Sequence, residues 1–330
     1  MVCWERTTIY LLSILKDIMK QFLIKFLIFS IPIFFISIFM EFLLRNIPND
    51  YLLKKQYLDK NSYKIETLIL GSSHSFYGLN PEYFDSNTFN ASHISQSLNY
   101  DYEILKKYQK KFKKLKTIVL PASYFTLFAK LEESHEPWRI KNYGIYYDMN
   151  LKKSLANYSE VFSTRLNLNV RRIVSYYLLG NPSISCTKLG WGTSFNSKDT
   201  EDFIESGTIA AERHTMEINS YKYKKIFNDN VLILKSIIQW SKVNNIKVLF
   251  LTFPAFETYC QNLNKEQLKI TFDTINYICS TYENCSYENL LSDKNFLPID
   301  FYDADHLSEI GAKKLSILIN EKINKLISTK

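Results

Sequence analysis

The chain has 330 residues, room for one large domain or two small ones, and its 46% hydrophobic content is enough to build a core. Glycine and proline are sparse at 8 each, and 23 tyrosines with 23 phenylalanines argue against a disordered chain. The net charge of +8 comes from lysines spread along the sequence without a nucleic-acid-binding signature, which argues against nucleic acid and leaves an anionic polymer or lipid surface as partner.

In chain order, residues 1–20 carry Arg6, Lys16 and Lys20 around an apolar patch, Ile9 to Leu15. From Phe22 to Leu44 the sequence is apolar except for Lys25 and Glu41 near its ends, long enough for a transmembrane helix that tolerates Pro32. No small-x-small cleavage site follows, so residues 22–44 read as an uncleaved anchor in the lipid bilayer. Met19-Lys20-Gln21 resembles a translation start, which makes Met1 and Met19 alternative first residues. Lys54 and Lys55 beyond the span soften the positive-inside signal; the expected orientation is N-terminus inside and body outside.

Residues 46–63 read as a polar connector. Thr67 to Leu70 is a buried strand ending at Gly71, followed by Ser72-Ser73-His74-Ser75, and Thr88 to Ala91 is a second short strand. Leu98 to Lys116 has apolar residues at helical spacing and seven lysines between positions 106 and 116, a solvated face or a contact for anionic groups. Thr117 to Leu120 is a third strand. Residues 128–225 form an aperiodic, mostly helical excursion expected to cap the sheet. The α/β rhythm then resumes, with a helix at Val231–Val243, a strand at Ile246–Thr252, a helix at Lys265–Cys279, a short strand or extended segment at Cys285–Leu291 and a last helix from about Ser308. None of the five cysteines forms a CxxC pair, so no structural zinc is expected; Cys279 and Cys285 either close a small disulfide loop or stay free.

Two loops carry chemistry. A strand ending in Gly71-Ser72-Ser73-His74 exposes small hydroxyls at the carboxyl edge of a sheet, where α/β folds bind ligands, though an ordinary strand-to-helix turn looks the same. Asp303-Ala304-Asp305-His306 puts a carboxylate three residues before a histidine. It can accept a hydrogen bond from Nδ1–H of that imidazole and leave Nε2 free to take a proton from a serine.

Together these loops resemble the SGNH/GDSL hydrolases: Gly71-Ser72-Ser73 resembles the Gly-Asp-Ser block and Asp303-Ala304-Asp305-His306 the terminal Asp-x-x-His block. The resemblance implies a three-layer, flavodoxin-like parallel sheet with a helical insertion (128–225) in a domain spanning 46–330, behind a tail and anchor at 1–45. It implies Ser73 as nucleophile, His306 as base and then acid, and Asp303 as orienting carboxylate, without cofactor or metal. Asn90 to Gln96 resembles the second block, with Ser95 or Gln96 where that family has an oxyanion-hole glycine, and Leu120 to Tyr124 stands at the third block without its asparagine. The expected oxyanion donors are then Ser73, Gln96 and Ser123. The anchor together with these loops also resembles the envelope-associated branch, which handles acyl groups on surface polysaccharide or teichoic acid, often beside a membrane-bound acyltransferase. The expected activity is a serine esterase or O-acyltransferase acting on an acylated glycan or other envelope polymer. Alternatives are a non-catalytic glycan- or partner-binding subunit and, last, a metal-dependent phosphoesterase recruiting His74, Asp303, Asp305 and His306.

Overall fold

A computed structural model describes residues 2–151 and 154–328, with side chains from residue 14 onward. Met1, one of the two candidate starts, and the side chains of Cys3 and Arg6 lie outside the described residues. The elements run α1 (Val2–Arg45), α2 (Asp50–Asn61), β1 (Thr67–Ile69), α3 (Ser73–Gly78), β2 (Thr88–Asn90), α4 (Leu98–Tyr108), β3 (Thr117–Pro121) and α5 (Ile140–Tyr146). There follow α6 (Glu160–Ser163), α7 (Leu166–Tyr177), α8 (Phe203–His214), α9 (Tyr221–Val243), β4 (Lys247–Thr252), α10 (Glu257–Asn262), α11 (Lys265–Thr281), β5 (Cys285–Asn289) and α12 (Glu309–Ser328).

The five strands form one parallel sheet in the order β2-β1-β3-β4-β5. Alternation along each strand sorts side chains to two faces. Leu68, Leu70, Ile118, Leu120, Val248 and Phe250 meet one apolar cluster that includes Ile104, Ile237 and Ile275 from α4, α9 and α11. Ile69, Val119, Leu249 and Leu251 meet a second cluster with Leu315, Ile319 and Ile323 of α12. This is the three-layer α/β fold that the strand–helix alternation predicts. The order places a switch point between β1 and β3, where successive connections leave toward opposite edges and a crevice opens beyond the carboxyl ends of the strands.

The chain divides into two compact units, Met1–Ile47 with Lys153–Pro182, and Pro48–Lys152 with Ser183–Lys330. Residues 153–182 therefore group with the N-terminal helix, whereas the expected boundaries assign them to an insertion on the sheet domain. In the first unit, Ile14–Arg45 of α1 is long and apolar enough to cross a membrane. The Glu41 carboxylate accepts from Ser159 Oγ (2.8 Å) and from the N–H groups of Glu160 (3.1 Å) and Val161 (3.0 Å), satisfying first-turn donors of α6. Tyr177 Oη donates to Leu43 O at 3.1 Å, and Arg45 donates to Tyr158 O. The acidic residue near the end of the span thus has a structural partner, which its position in an apolar run does not reveal.

Two expectations change in the second unit, and the open question of the cysteine pair is answered there. Residues 50–61 are helical, not a polar connector: Asn49 caps Leu52 N–H at 3.1 Å, and Tyr51, Lys54 and Leu58 are buried. Lys54 donates to Ser92 O and lies 4.4 Å over the Phe76 ring, while burial pushes its ammonium down to about 8. The lysine-rich helix stops at Tyr108, leaving Lys110, Lys111, Lys113, Lys114 and Lys116 outside it. Like charges at i and i+4, such as Lys106 with Lys110 and Lys110 with Lys114, disfavour its continuation. Cys279 and Cys285 are disulfide-bonded across the end of α11 and the start of β5, with Cα atoms 4.9 Å apart.

Asn90, at the carboxyl end of β2, is fully buried and spends its whole amide. Nδ2 donates to Ser75 O (2.8 Å) and Leu79 O (2.9 Å), and Oδ1 accepts from Ser92 N–H (3.1 Å). The side chain ties the end of α3 to the sheet. Asn90→Ala is expected to destabilise the fold by about 3 kcal/mol, because it strands buried backbone groups; a thermal unfolding scan beside wild type checks this.

Candidate active site

The site is built where β1 and β3 end. Gly71 has φ +118°, and an added Cβ would lie 2.5 Å from Pro121 Cγ, so the turn out of β1 requires glycine for both conformation and space. Gly71 N–H donates to Asp101 Oδ1 at 2.7 Å and Gly71 O accepts from His93 N–H at 3.2 Å, fixing the turn from two sides. Burial raises the Asp101 carboxyl to about 7, although the hydrogen bonds from Gln96 and Gly71 work against that rise. Beyond the turn, Ser73 opens α3, whose first N–H groups have no intrahelical acceptor.

The loop between β5 and α12 brings the partner. Phe301 and Leu307 pair in an antiparallel bridge, Tyr302 N–H donates to His306 O at 3.0 Å, and Ser308 N–H donates to Asp300 O at 2.9 Å. Within that closed loop, Asp303 Oδ1 accepts from the N–H groups of Asp305 (2.9 Å) and His306 (2.7 Å). The carboxylate also meets His306 Nδ1 at 2.9 and 3.0 Å, and His306 Nε2 lies 2.8 Å from Ser73 Oγ. In the neutral form of His306, Nδ1–H donates to the Asp303 carboxylate and Nε2 accepts from the serine hydroxyl. The structure therefore brings Ser73, His306 and Asp303 into one hydrogen-bonded path at the switch point.

A second group centres on Asp305, and two of its members, Arg213 and His214, were not foreseen from the sequence. Its carboxylate is 2% exposed and faces His306 Nδ1 (3.4 Å), His74 Nε2 (3.4 Å), Arg213 Nη2 (3.5 Å) and His214 Nδ1 (3.8 Å). Burial would raise the Asp305 carboxyl, but the charge of His306 and the hydrogen bonds of His306 and His74 outweigh it and hold it well below the usual carboxylate range. Burial opposes a charged His306 as well, yet Asp303 and Asp305 together raise it to about 10. Burial lowers His74, and lowers His214 further. His214 and Arg213 arrive from the end of α8, inside the aperiodic excursion. Only the scarcity of histidine, five in the chain, offered a signal.

Two of the three expected oxyanion donors are engaged elsewhere. Gln96 N–H donates to His93 O at 3.1 Å; its side-chain amide donates to Asp101 at 2.6 Å and accepts from Tyr143 Oη at 2.9 Å. Ser123 Oγ meets His74 Nδ1 at 2.8 Å. Because His74 Nε2 faces the Asp305 carboxylate, Nε2 holds the proton and Nδ1 accepts the Ser123 hydroxyl hydrogen. Ser73 N–H remains. Ser95, the other residue at the glycine position, has φ +58°, a conformation that glycine adopts freely and serine does not.

Aromatic rings flank the path. Phe195 stacks between Tyr77 (3.7 Å between centroids) and Tyr302 (4.0 Å), and its ring lies 5.3 Å from that of His306. His74, Asp305 and His306 offer nitrogen and oxygen atoms within 4.8 Å of one another, the spacing of a metal site. Both ring nitrogens of His306 are already hydrogen-bonded, so a cation held there would break the path to Ser73.

No family model matches the chain, and no curated protein is similar to it. Among solved structures it is similar to a Streptococcus pneumonia protein described as a platelet activating factor, at 12% identity and TM-score 0.43, over 87% of this chain and 97% of that one. It is also similar to a Bacteroides fragilis protein described as an acylhydrolase, at 12% identity and TM-score 0.39, over 82% of this chain and 95% of that one.

Proposed function

We propose that this chain is a serine esterase or O-acyltransferase, anchored by α1, that acts on acyl groups, acetyl foremost, of a cell-envelope glycan or other polymer. The observation that carries this reading is the path from Ser73 Oγ through His306 to Asp303. A serine hydroxyl at neutral pH needs such a base. As Oγ bonds to the acyl carbon, Nε2 takes its proton. Collapse of the tetrahedral intermediate breaks the ester C–O bond, and the imidazolium returns the proton to the leaving alkoxide. An acyl ester on Ser73 remains. A second hydroxyl, of water in hydrolysis or of a sugar in transfer, then gives its proton to Nε2 as its oxygen bonds to the acyl carbon; the bond to Ser73 Oγ breaks, and Oγ takes that proton back from the imidazolium.

In this reading the developing oxyanion is held by Ser73 N–H and by Ser95 N–H, which replaces Gln96 and Ser123 as the second donor. The hydrogen bond from His93 N–H to Gly71 O keeps the Ser95 loop beside the nucleophile turn. Tyr302, the part-exposed outer ring of the Tyr77–Phe195–Tyr302 stack, supports a carbohydrate acceptor, since a flat ring beside a catalytic histidine offers an apolar platform for a sugar face. A membrane-bound acyltransferase supplying acyl groups is the partner that fits transfer. The apolar α1 and the Cys279–Cys285 bridge support an N-terminus inside and a body outside, in an oxidising compartment. The engagement of Gln96 and Ser123 favours a second reading, a glycan- or partner-binding subunit on a hydrolase scaffold.

The test is treatment of the detergent-solubilised full chain with a fluorophosphonate ester, read by intact mass. The expected result is one covalent adduct on wild type and none on Ser73→Ala or His306→Ala. An unlabelled wild type with a native unfolding transition overturns the enzyme reading in favour of the binding subunit.

A further inference from the structure

We propose that α6 and α7 form a second membrane contact, lying in the interface of the bilayer that α1 crosses; the inference rests on the anchor reading above. α7 carries three distinct faces. Leu166, Val170, Val174 and Tyr177 fall at i, i+4, i+8 and i+11, one side of a helix, and Phe162 and Leu178 extend the stripe at either end. All six are exposed, from 38% at Val174 to 77% at Leu178. On the adjoining exposed side, Asn167 and Arg171 are polar and Leu168 lies beyond them. The third is internal: Asn169 is fully buried, with Nδ2 donating to Glu160 O at 3.2 Å, and Arg172 pairs with the buried Glu160 carboxylate at 2.7 Å.

A helix with one apolar, one polar and one packed face suits a boundary between lipid and water. A helix in water alone does not keep so large an apolar stripe exposed. Its place in the unit identifies what covers the stripe. α6 is held by Glu41 and α7 by Leu43 O, both in the last turns of α1. Immediately before them, Phe35, Phe39 and Phe42 are each exposed by more than 60% on the span itself. The apolar surface of α7 therefore continues the lipid-facing surface of α1 at one end of the span. That end is the level of the headgroups, where an in-plane helix with an exposed arginine belongs. With 12 residues α7 is about 18 Å long, too short to cross and long enough to lie in the interface.

The test places an environment-sensitive fluorescent amino acid at Ile31, Val170 or Arg171 of the full chain, all exposed positions, in phosphatidylcholine–phosphatidylglycerol vesicles. Each protein is quenched by lipid carrying a spin label deep on the acyl chain for Ile31 and near the headgroup for positions 170 and 171, and, separately, by aqueous iodide. Lipid quenching at Ile31, with lipid quenching at Val170 at least about twofold stronger than at Arg171, is the expected result. Quenching at Ile31 with Val170 open to iodide overturns the interfacial contact and leaves the anchor standing. Val170 shielded from both quenchers also overturns it, since the stripe is then covered by protein, such as a second copy of the chain. No lipid quenching at Ile31 overturns the anchor and this inference together.

Discussion

Ser73→Ala and His306→Ala are each expected to lower kcat/KM on an acetyl ester by roughly 10⁴- to 10⁶-fold, and the double variant is expected to be no slower than either single one. The non-additivity follows from the geometry. Ser73 Oγ and His306 Nε2, 2.8 Å apart, share the proton that must move for attack to occur. Once either is gone, the other has nothing to act on. Hydrolysis of p-nitrophenyl acetate by the four proteins measures the cycle. Losses that multiply in the double variant would show that the two residues act separately and that the path is not a catalytic unit.

The second large effect separates the two carboxylates. Asp303 orients His306 through Nδ1, and its replacement by asparagine is expected to cost about 10⁴-fold by stabilising the wrong tautomer. Asp305 acts on the same imidazole mainly through charge, from 3.4 Å. With both present, His306 is raised to about 10, so the neutral base becomes more abundant, and kcat/KM climbs, as pH rises from 7 toward 10. Asp305→Asn removes one negative charge and is expected to move that ascending limb down by about 1–2 pH units. A pH–rate profile of wild type, Asp303→Asn and Asp305→Asn distinguishes orientation from charge; an unmoved limb in Asp305→Asn would falsify the electrostatic role. Stability follows the same linkage. A histidine whose folded pKa lies above the unfolded 6.5 contributes its full stabilisation below pH 6.5 and loses it as pH rises toward 10. Thermal scans across that window are expected to show a shallower decline for Asp305→Asn.

The fold was legible where local pattern and tertiary role coincide. Leu68 to Leu70, Thr117 to Leu120 and Ile246 to Thr252 are short apolar runs bounded by breakers, and all three are central strands of the sheet. The loops carrying Ser73, Asp303 and His306 were legible because each places its reactive groups within a few residues at the end of an element. What escaped depends on partners distant in sequence. Gln96 and Ser123 stand in the expected blocks, but Asp101, Tyr143 and His74 claim their hydrogen bonds. Asp305 gains two of the groups that face it, Arg213 and His214, from 92 and 91 residues away, a relation that no local spacing encodes. The helix at 50–61 was hidden by its polar composition, although Asn49 is a cap of the usual type.

The pairing of α1 with residues 153–182 governs how the protein can be handled outside a membrane. A secreted version trimmed to start after the anchor would lose the carboxylate that caps Glu160 and Val161, together with the helix that holds α7. Its apolar stripe would then meet water without either lipid or α1. Such a truncation is expected to aggregate even with its sheet intact. A water-soluble form therefore calls for removing both stretches at once.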